Sequence, residues 1–189
     1  MGLPNFKIEP KGRVSEVFLA LEIKRFYDAT IYIGHLPYGR NSNGSSYEHV
    51  LIEGKGTCST KHALLAALCQ EQGIKEVQLY TGIYEMSEGN TPGVGSVLEK
   101  YNLESIPEAH CYLKYNNERY DFTRLDVTGE PVEIFLTEQQ ITPGQIGEYK
   151  KKFHRSYFPK WLEDKILGQI VSVEQLWRIR EECIRKLSQ

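Results

Sequence analysis

Apolar and polar positions along this chain switch between a helical and a strand period, and the switches mark out its elements. Residues 15–27, SEVFLALEIKRFY, carry Val17, Phe18 and Leu21 at helical spacing behind Ser15, whose hydroxyl suits an N-cap, and predict one amphipathic helix. The stretch 34–49, GHLPYGRNSNGSSYEH, follows neither period. Its Gly, Pro, Asn and Ser content predicts a long loop, of the kind that often carries function. Residues 58–72 are apolar nearly all round, with an unbroken run from Ala63 to Cys69 and Gly73 placed to stop the helix. A helix without a polar face has to be central and buried.

From Lys75 to Ile83, Val77, Leu79, Thr81 and Ile83 alternate with Gln78, Tyr80 and Gly82, which predicts a strand. Residues 85–107 are irregular, with NTPGVG as a turn cluster and VLEKYNL as a short helix before Pro107. AHCYLKY and ERYDFT then flank Asn116-Asn117, and asparagine tolerates the positive φ of tight hairpin turns. The tail is helical over 144–166 and again from Ser172 to Leu187, where Ser172 and Gln175 fit a capping box. This order predicts an α+β protein: a single domain over 1–189, with a core at 50–125 and a helical extension over 142–189.

Register gives the hairpin its chemical interest. If Asn116 and Asn117 form a two-residue turn, Tyr115 pairs with Glu118, His110 falls opposite Thr123, and His110 lies diagonal to Asp121 on one face. A three-residue turn would destroy that parity. The other face carries Cys111, Leu113, Tyr120 and Phe122, a set suited to a core. Cys58 opens the buried helix, where unpaired N–H groups and the positive end of the macrodipole favour a thiolate. Cysteine, histidine and aspartate then supply a nucleophile, a proton carrier and a carboxylate that orients the ring.

Composition narrows the partners. Net charge is −2, from 23 basic and 25 acidic residues, which leaves no electrostatic footprint for nucleic acid or an anionic membrane. The cluster Lys150, Lys151, Lys152 and Arg155 reads as a solvated helix face. The N-terminal segment lacks the apolar run of a signal peptide, and Ala63–Cys69 is too short to span a bilayer, so a cytoplasmic protein with reduced thiols is expected. The four cysteines are widely spaced, and Cys69, Cys111 and Cys183 read as core thiols.

The segment GTCSTKHALLAALCQEQGI resembles the nucleophile helix of the transglutaminase-like superfamily, and AHCYLKYNNERYDFT resembles its paired His and Asp strands. Animal transglutaminases, peptide N-glycanases and many bacterial peptidases share that papain-like core. The resemblance covers about residues 50–125 and is to a bacterial-type member; no calcium-site pattern like that of the animal enzymes is seen, which argues against calcium-activated protein crosslinking. It implies a papain-like core with a central helix packed on an antiparallel sheet and flanked by helices. It further implies Cys58 as nucleophile, His110 as general base and acid and Asp121 as orienter, acting through a thioester on a peptide or small amide, with no cofactor or metal. Two departures stand out: the His-to-Asp interval is short, and Tyr112 stands where larger members tend to have tryptophan.

By analogy with papain-like folds, the Cys58 N–H supplies one oxyanion donor, and Arg40 or Asn41 in the upstream loop is the candidate for the second. Arg40 would alternatively clamp a substrate carboxylate. A zinc site built from Cys58, His62, His110 and Cys111 is disfavoured, since His110 and Cys111 are adjacent on a strand and point to opposite faces. His62 reads as a helix-surface or packing residue, and Glu108 either shares the His110 cleft or sits at a strand edge. A catalytically inactive module that keeps the cleft for binding is the alternative function.

Overall fold

The computed structural model describes residues 2–125, 132–168 and 171–188. Its elements are α1 (Arg13–Ala20), α2 (Phe26–His35), α3 (His49–Glu53), α4 (Cys58–Glu71), β1 (Gln78–Met86), α5 (Gly95–Lys100), β2 (Ile106–Tyr115), β3 (Glu118–Tyr120), β4 (Thr137–Ile141), α6 (Glu148–Asp164) and α7 (Val173–Leu187), with a 3-10 turn at Pro143–Gln145. The protein is α+β, with a four-stranded antiparallel sheet in the order β3-β2-β1-β4. The chain divides into two compact units, Met1–Thr81 with Cys111–Asp126 and Gln140–Gly147, and Gly82–His110 with Val127–Gln139 and Glu148–Gln189. The division falls within β1 after Thr81 and within β2 after His110.

In the first unit α4 is the centre. Every residue from Cys58 to Cys69 is buried, and α1, α2, α3 and the 3-10 turn all pack against this helix. Leu79 of β1 and Cys111 and Leu113 of β2 join its core, with Tyr120 and Phe122 packed at the margin. Thr57 starts α4 as an extended N-cap, its N–H donating to Thr60 Oγ1 at 3.0 Å and its hydroxyl accepting from the Thr60 N–H. Gly73 ends the helix at φ +77°, a conformation that costs glycine nothing, and Ile74 N–H closes back on the Cys69 carbonyl at 2.9 Å.

The helix expected over 15–27 is instead two. Glu22 takes φ +60° and separates α1 from α2. Ser15 is not the N-cap but the third residue of α1, its hydroxyl accepting from the N–H of the N-cap, Gly12, at 3.0 Å. Two further first-turn donors are taken by Glu71 at the far end of α4, whose carboxylate accepts from Val14 and Ser15 N–H at 2.8 and 2.7 Å. The buried face is Val14, Ser15 and Phe18, while Val17 and Leu21 are exposed.

The hairpin turn forms as the two asparagines predict. Asn116 and Asn117 have φ of +49° and +64°, and Tyr115, Lys114 and Leu113 pair with Glu118, Arg119 and Tyr120. The ladder stops there, so the expected pairing of His110 with Thr123 is not made, and residues 121–125 leave the sheet.

The second unit has its own apolar core of Tyr84, Met86, Leu98, Ile106, Phe158 and Leu176. α7 begins at the predicted capping box, with Ser172 N–H to Gln175 Oε1 at 2.8 Å and Gln175 N–H to Ser172 Oγ at 3.2 Å. Beneath β2 lies an ionic set. Glu108 is buried rather than at an edge, and Arg180 grips it with two hydrogen bonds of 2.7 Å. Lys150 is also buried, donating to the Ala109 carbonyl at 2.6 Å, which corrects its reading as part of a solvated face; Lys151, Lys152 and Arg155 are not buried. No helix among the described residues is long and apolar enough to cross a membrane.

Candidate active site

Cys58 is the first residue of α4, so its N–H is one of those with no acceptor inside the helix. Its side chain is 8 % exposed, with Sγ 3.8 Å from Ser59 Oγ. The other cysteines are buried too. Burial pushes the Cys183 thiol up to about 12 and raises Cys69 further, as expected of inert core thiols.

A helix enclosed on all sides has no surface on which to place polar side chains, yet α4 carries Lys61 and His62, both 0 % exposed. Each is satisfied internally. The His62 Nδ1 lies 2.8 Å from the Cys58 carbonyl, which only accepts, so Nδ1 carries the proton. Nε2 is then the acceptor, and it receives the Phe122 N–H at 2.8 Å. One neutral tautomer thereby ties the first turn of α4 to the segment that follows β3. Asp121 Oδ1 stands 3.5 Å from the same Nε2, whose lone pair is already engaged, so this approach is contact rather than an ion pair. That oxygen accepts the Thr123 N–H at 2.8 Å in an Asx turn that carries the chain away from the sheet.

Lys61, one turn along α4 from Cys58, donates to the Leu36 carbonyl and to the Thr123 carbonyl, the latter at 2.8 Å. Burial pulls its ammonium down to about 8. Arg124 pushes the same way, while Asp121 and Cys58 oppose the shift. Lys61 and His62 thus hold consecutive residues, Phe122 and Thr123, beside the carboxylate-bearing Asp121.

Of the loop candidates, Asn41 is buried and structural. Its amide donates to the Lys55 carbonyl at 2.9 Å, and its oxygen accepts from Thr60 Oγ1 at 2.9 Å. An amide so engaged is withdrawn as an oxyanion donor. Arg40 is exposed. The same loop holds Ser42, His49 and Glu53, with Ser42 Oγ to Glu53 at 2.6 Å and His49 Nδ1 to Ser42 Oγ and Glu53 at 3.1 and 3.0 Å. These are the residue types of a serine triad, but hydroxyl and carboxylate meet the same ring nitrogen, so no relay through the imidazole is built. The Ser42 and His49 hydrogen bonds hold the Glu53 carboxyl down to about 2 and clamp the loop.

His110 belongs to the second unit. It is half-buried, with the Tyr84 ring edge-on at 6.0 Å, one residue after the Lys150-bound Ala109 and two after the Arg180-bound Glu108. Among the described residues no three His, Cys, Asp or Glu side chains gather as metal ligands. Reading the chain passes over Lys61, although a lysine inside a helix apolar all round is itself the signal. Compared with known proteins, the chain matches no family model, no curated protein and no solved structure.

Proposed function

We propose that the protein is a cysteine-dependent amide hydrolase of the transglutaminase-like, papain-cored type. The Cys58 thiolate attacks the carbonyl carbon of a peptide or small amide, and His110, as imidazolium, protonates the departing amine. The resulting thioester is hydrolysed when His110 takes a proton from water and hydroxide displaces the Cys58 sulfur, releasing a carboxylic acid. Asp121 orients the imidazole, and the Cys58 N–H serves as one oxyanion donor. Arg40 remains as a substrate clamp. Transfer of the acyl group to an amine is the variant of the same chemistry, without a dedicated amine site to favour it.

One observation carries this reading: a cysteine at the first position of a buried, N-capped helix, with Asp121 held beside that helix through His62. His110 enters through the resemblance of AHCYLKYNNERYDFT alone, because the ladder ends at Leu113 and Tyr120 and does not carry the register on to Asp121. The reading of the chain as a non-catalytic binding module draws on a different fact, that Cys58 is only 8 % exposed.

The test is the pH dependence of Cys58 alkylation by iodoacetamide in the native protein and in His110→Ala, with mass spectrometry locating the label. Catalytic pairing predicts labelling at pH 6, where an unperturbed thiol is almost wholly protonated, and a raised thiol pKa in His110→Ala. An inert Cys58, or an ordinary profile indifferent to His110, refutes the triad and favours the binding module.

A further inference from the structure

Lys61 has no role in the triad chemistry, and its environment is costly. Taking an ammonium out of water costs several kcal/mol unless hydrogen bonds and an opposite charge compensate. Leucine or methionine would fill the same space in an enclosed helix without that cost. The two carbonyls of Leu36 and Thr123 satisfy donors but carry no net charge. The ionic side chains that act on Lys61 are Asp121 on the favourable side and Arg124 on the unfavourable side, and the neighbouring His62 is neutral by its tautomer. The Asp121 side chain is 49 % exposed, so water screens its share. Cys58 is buried and lies at i−3, one turn toward the helix N-terminus, where side chains three apart are neighbours.

We propose that Lys61 is a positioning residue for Cys58: its buried ammonium stabilises the thiolate from within the helix while its hydrogen bonds to the Leu36 and Thr123 carbonyls hold it in place. This rests on Cys58 being the nucleophile. The cation is built into α4 itself, so the thiolate is favoured before any histidine contributes, and the ion pair belongs to the resting protein.

Native protein, Lys61→Met, Lys61→Gln and Lys61→Arg are compared by the pH profile of Cys58 alkylation, with circular dichroism confirming that each is folded. The neutral variants are expected to raise the thiol pKa by about one unit, a loss of about tenfold in alkylation rate at pH 6, and Lys61→Arg to restore most of it. Lys61→Gln keeps a donor without the charge, so its loss separates electrostatics from hydrogen bonding. A depressed native profile left unchanged in the folded neutral variants overturns the role of Lys61 while Cys58 stands as nucleophile. An ordinary native profile overturns both. A second measurement needs no Lys61 variant: linkage requires that removing the thiolate lower the Lys61 midpoint, followed by its 13Cε resonance, in Cys58→Ser relative to the native protein. An unchanged midpoint also overturns the proposal.

Discussion

Replacing His62 by alanine is the sharpest perturbation of the first unit, because one ring makes two hydrogen bonds at 2.8 Å while 0 % exposed. Losing the ring orphans the Phe122 N–H, a part-buried donor whose loss of a partner costs about 1–2 kcal/mol. The Cys58 carbonyl retains its helical partner, so loss of the Nδ1–H bond adds only about 1 kcal/mol. A cavity of roughly 60 Å³ at about 24 cal/mol per Å³ adds about 1.5 kcal/mol. The sum is about 4 kcal/mol. In His62→Phe the ring volume is kept and both polar interactions are lost, so about 2–3 kcal/mol is expected. The assay is urea unfolding followed by far-UV circular dichroism, because both tryptophans, Trp161 and Trp177, lie in the second unit and report on it instead. With a slope near 2 kcal/mol/M, His62→Ala should move its midpoint by about 2 M. A shift under about 0.5 M, or equal shifts for alanine and phenylalanine, would refute the account of His62 as a bridge between α4 and Phe122.

In the second unit, Arg180→Met should cost about 3–5 kcal/mol, because it strips the buried Glu108 carboxylate of both guanidinium hydrogen bonds, and Glu108→Gln should cost less, because Arg180 keeps Glu181 at 2.7 Å. The Glu108→Leu/Arg180→Leu double variant should be markedly less destabilised than the sum of its single changes; additivity in tryptophan-monitored unfolding would argue against the pair. Acid should weaken this unit in two windows. Burial, with Arg180 and Lys150 nearby, pulls His154 down to about 4 from 6.5, so the unfolded chain binds the proton first and stability falls as pH drops from about 6.5 to 4. Burial works to raise Glu108, but Arg180, His154 and Lys150 outweigh it and hold the carboxyl at about 2 against 4.5, so its contribution is present above 4.5 and lost as pH falls toward 2. His154→Gln should flatten the upper window in thermal melts followed by tryptophan fluorescence and, with one cation fewer beside Glu108, move the lower window to higher pH; an unchanged upper window would show that His154 does not titrate there.

Local patterns were legible where the physics was local. The all-round apolar run announced α4 as buried, Gly73 marked its end, the Asn116-Asn117 pair set the hairpin turn and its register, and Ser172 with Gln175 announced α7. Each depends on residues within a few positions of one another, so no tertiary contact was needed to read it. Tertiary structure decided the rest. α1 is capped by Glu71, 57 positions from Val14, and therefore begins earlier, with a different buried face, than its own spacing suggests. Asp121 leaves the ladder because Lys61 and His62 hold Thr123 and Phe122, bonds that span 62 and 60 positions. Asn41 was withdrawn from the oxyanion candidates by its bonds to Lys55 and Thr60. A buried polar side chain takes whichever partners the fold brings within 3 Å of it, and sequence spacing carries no record of that proximity.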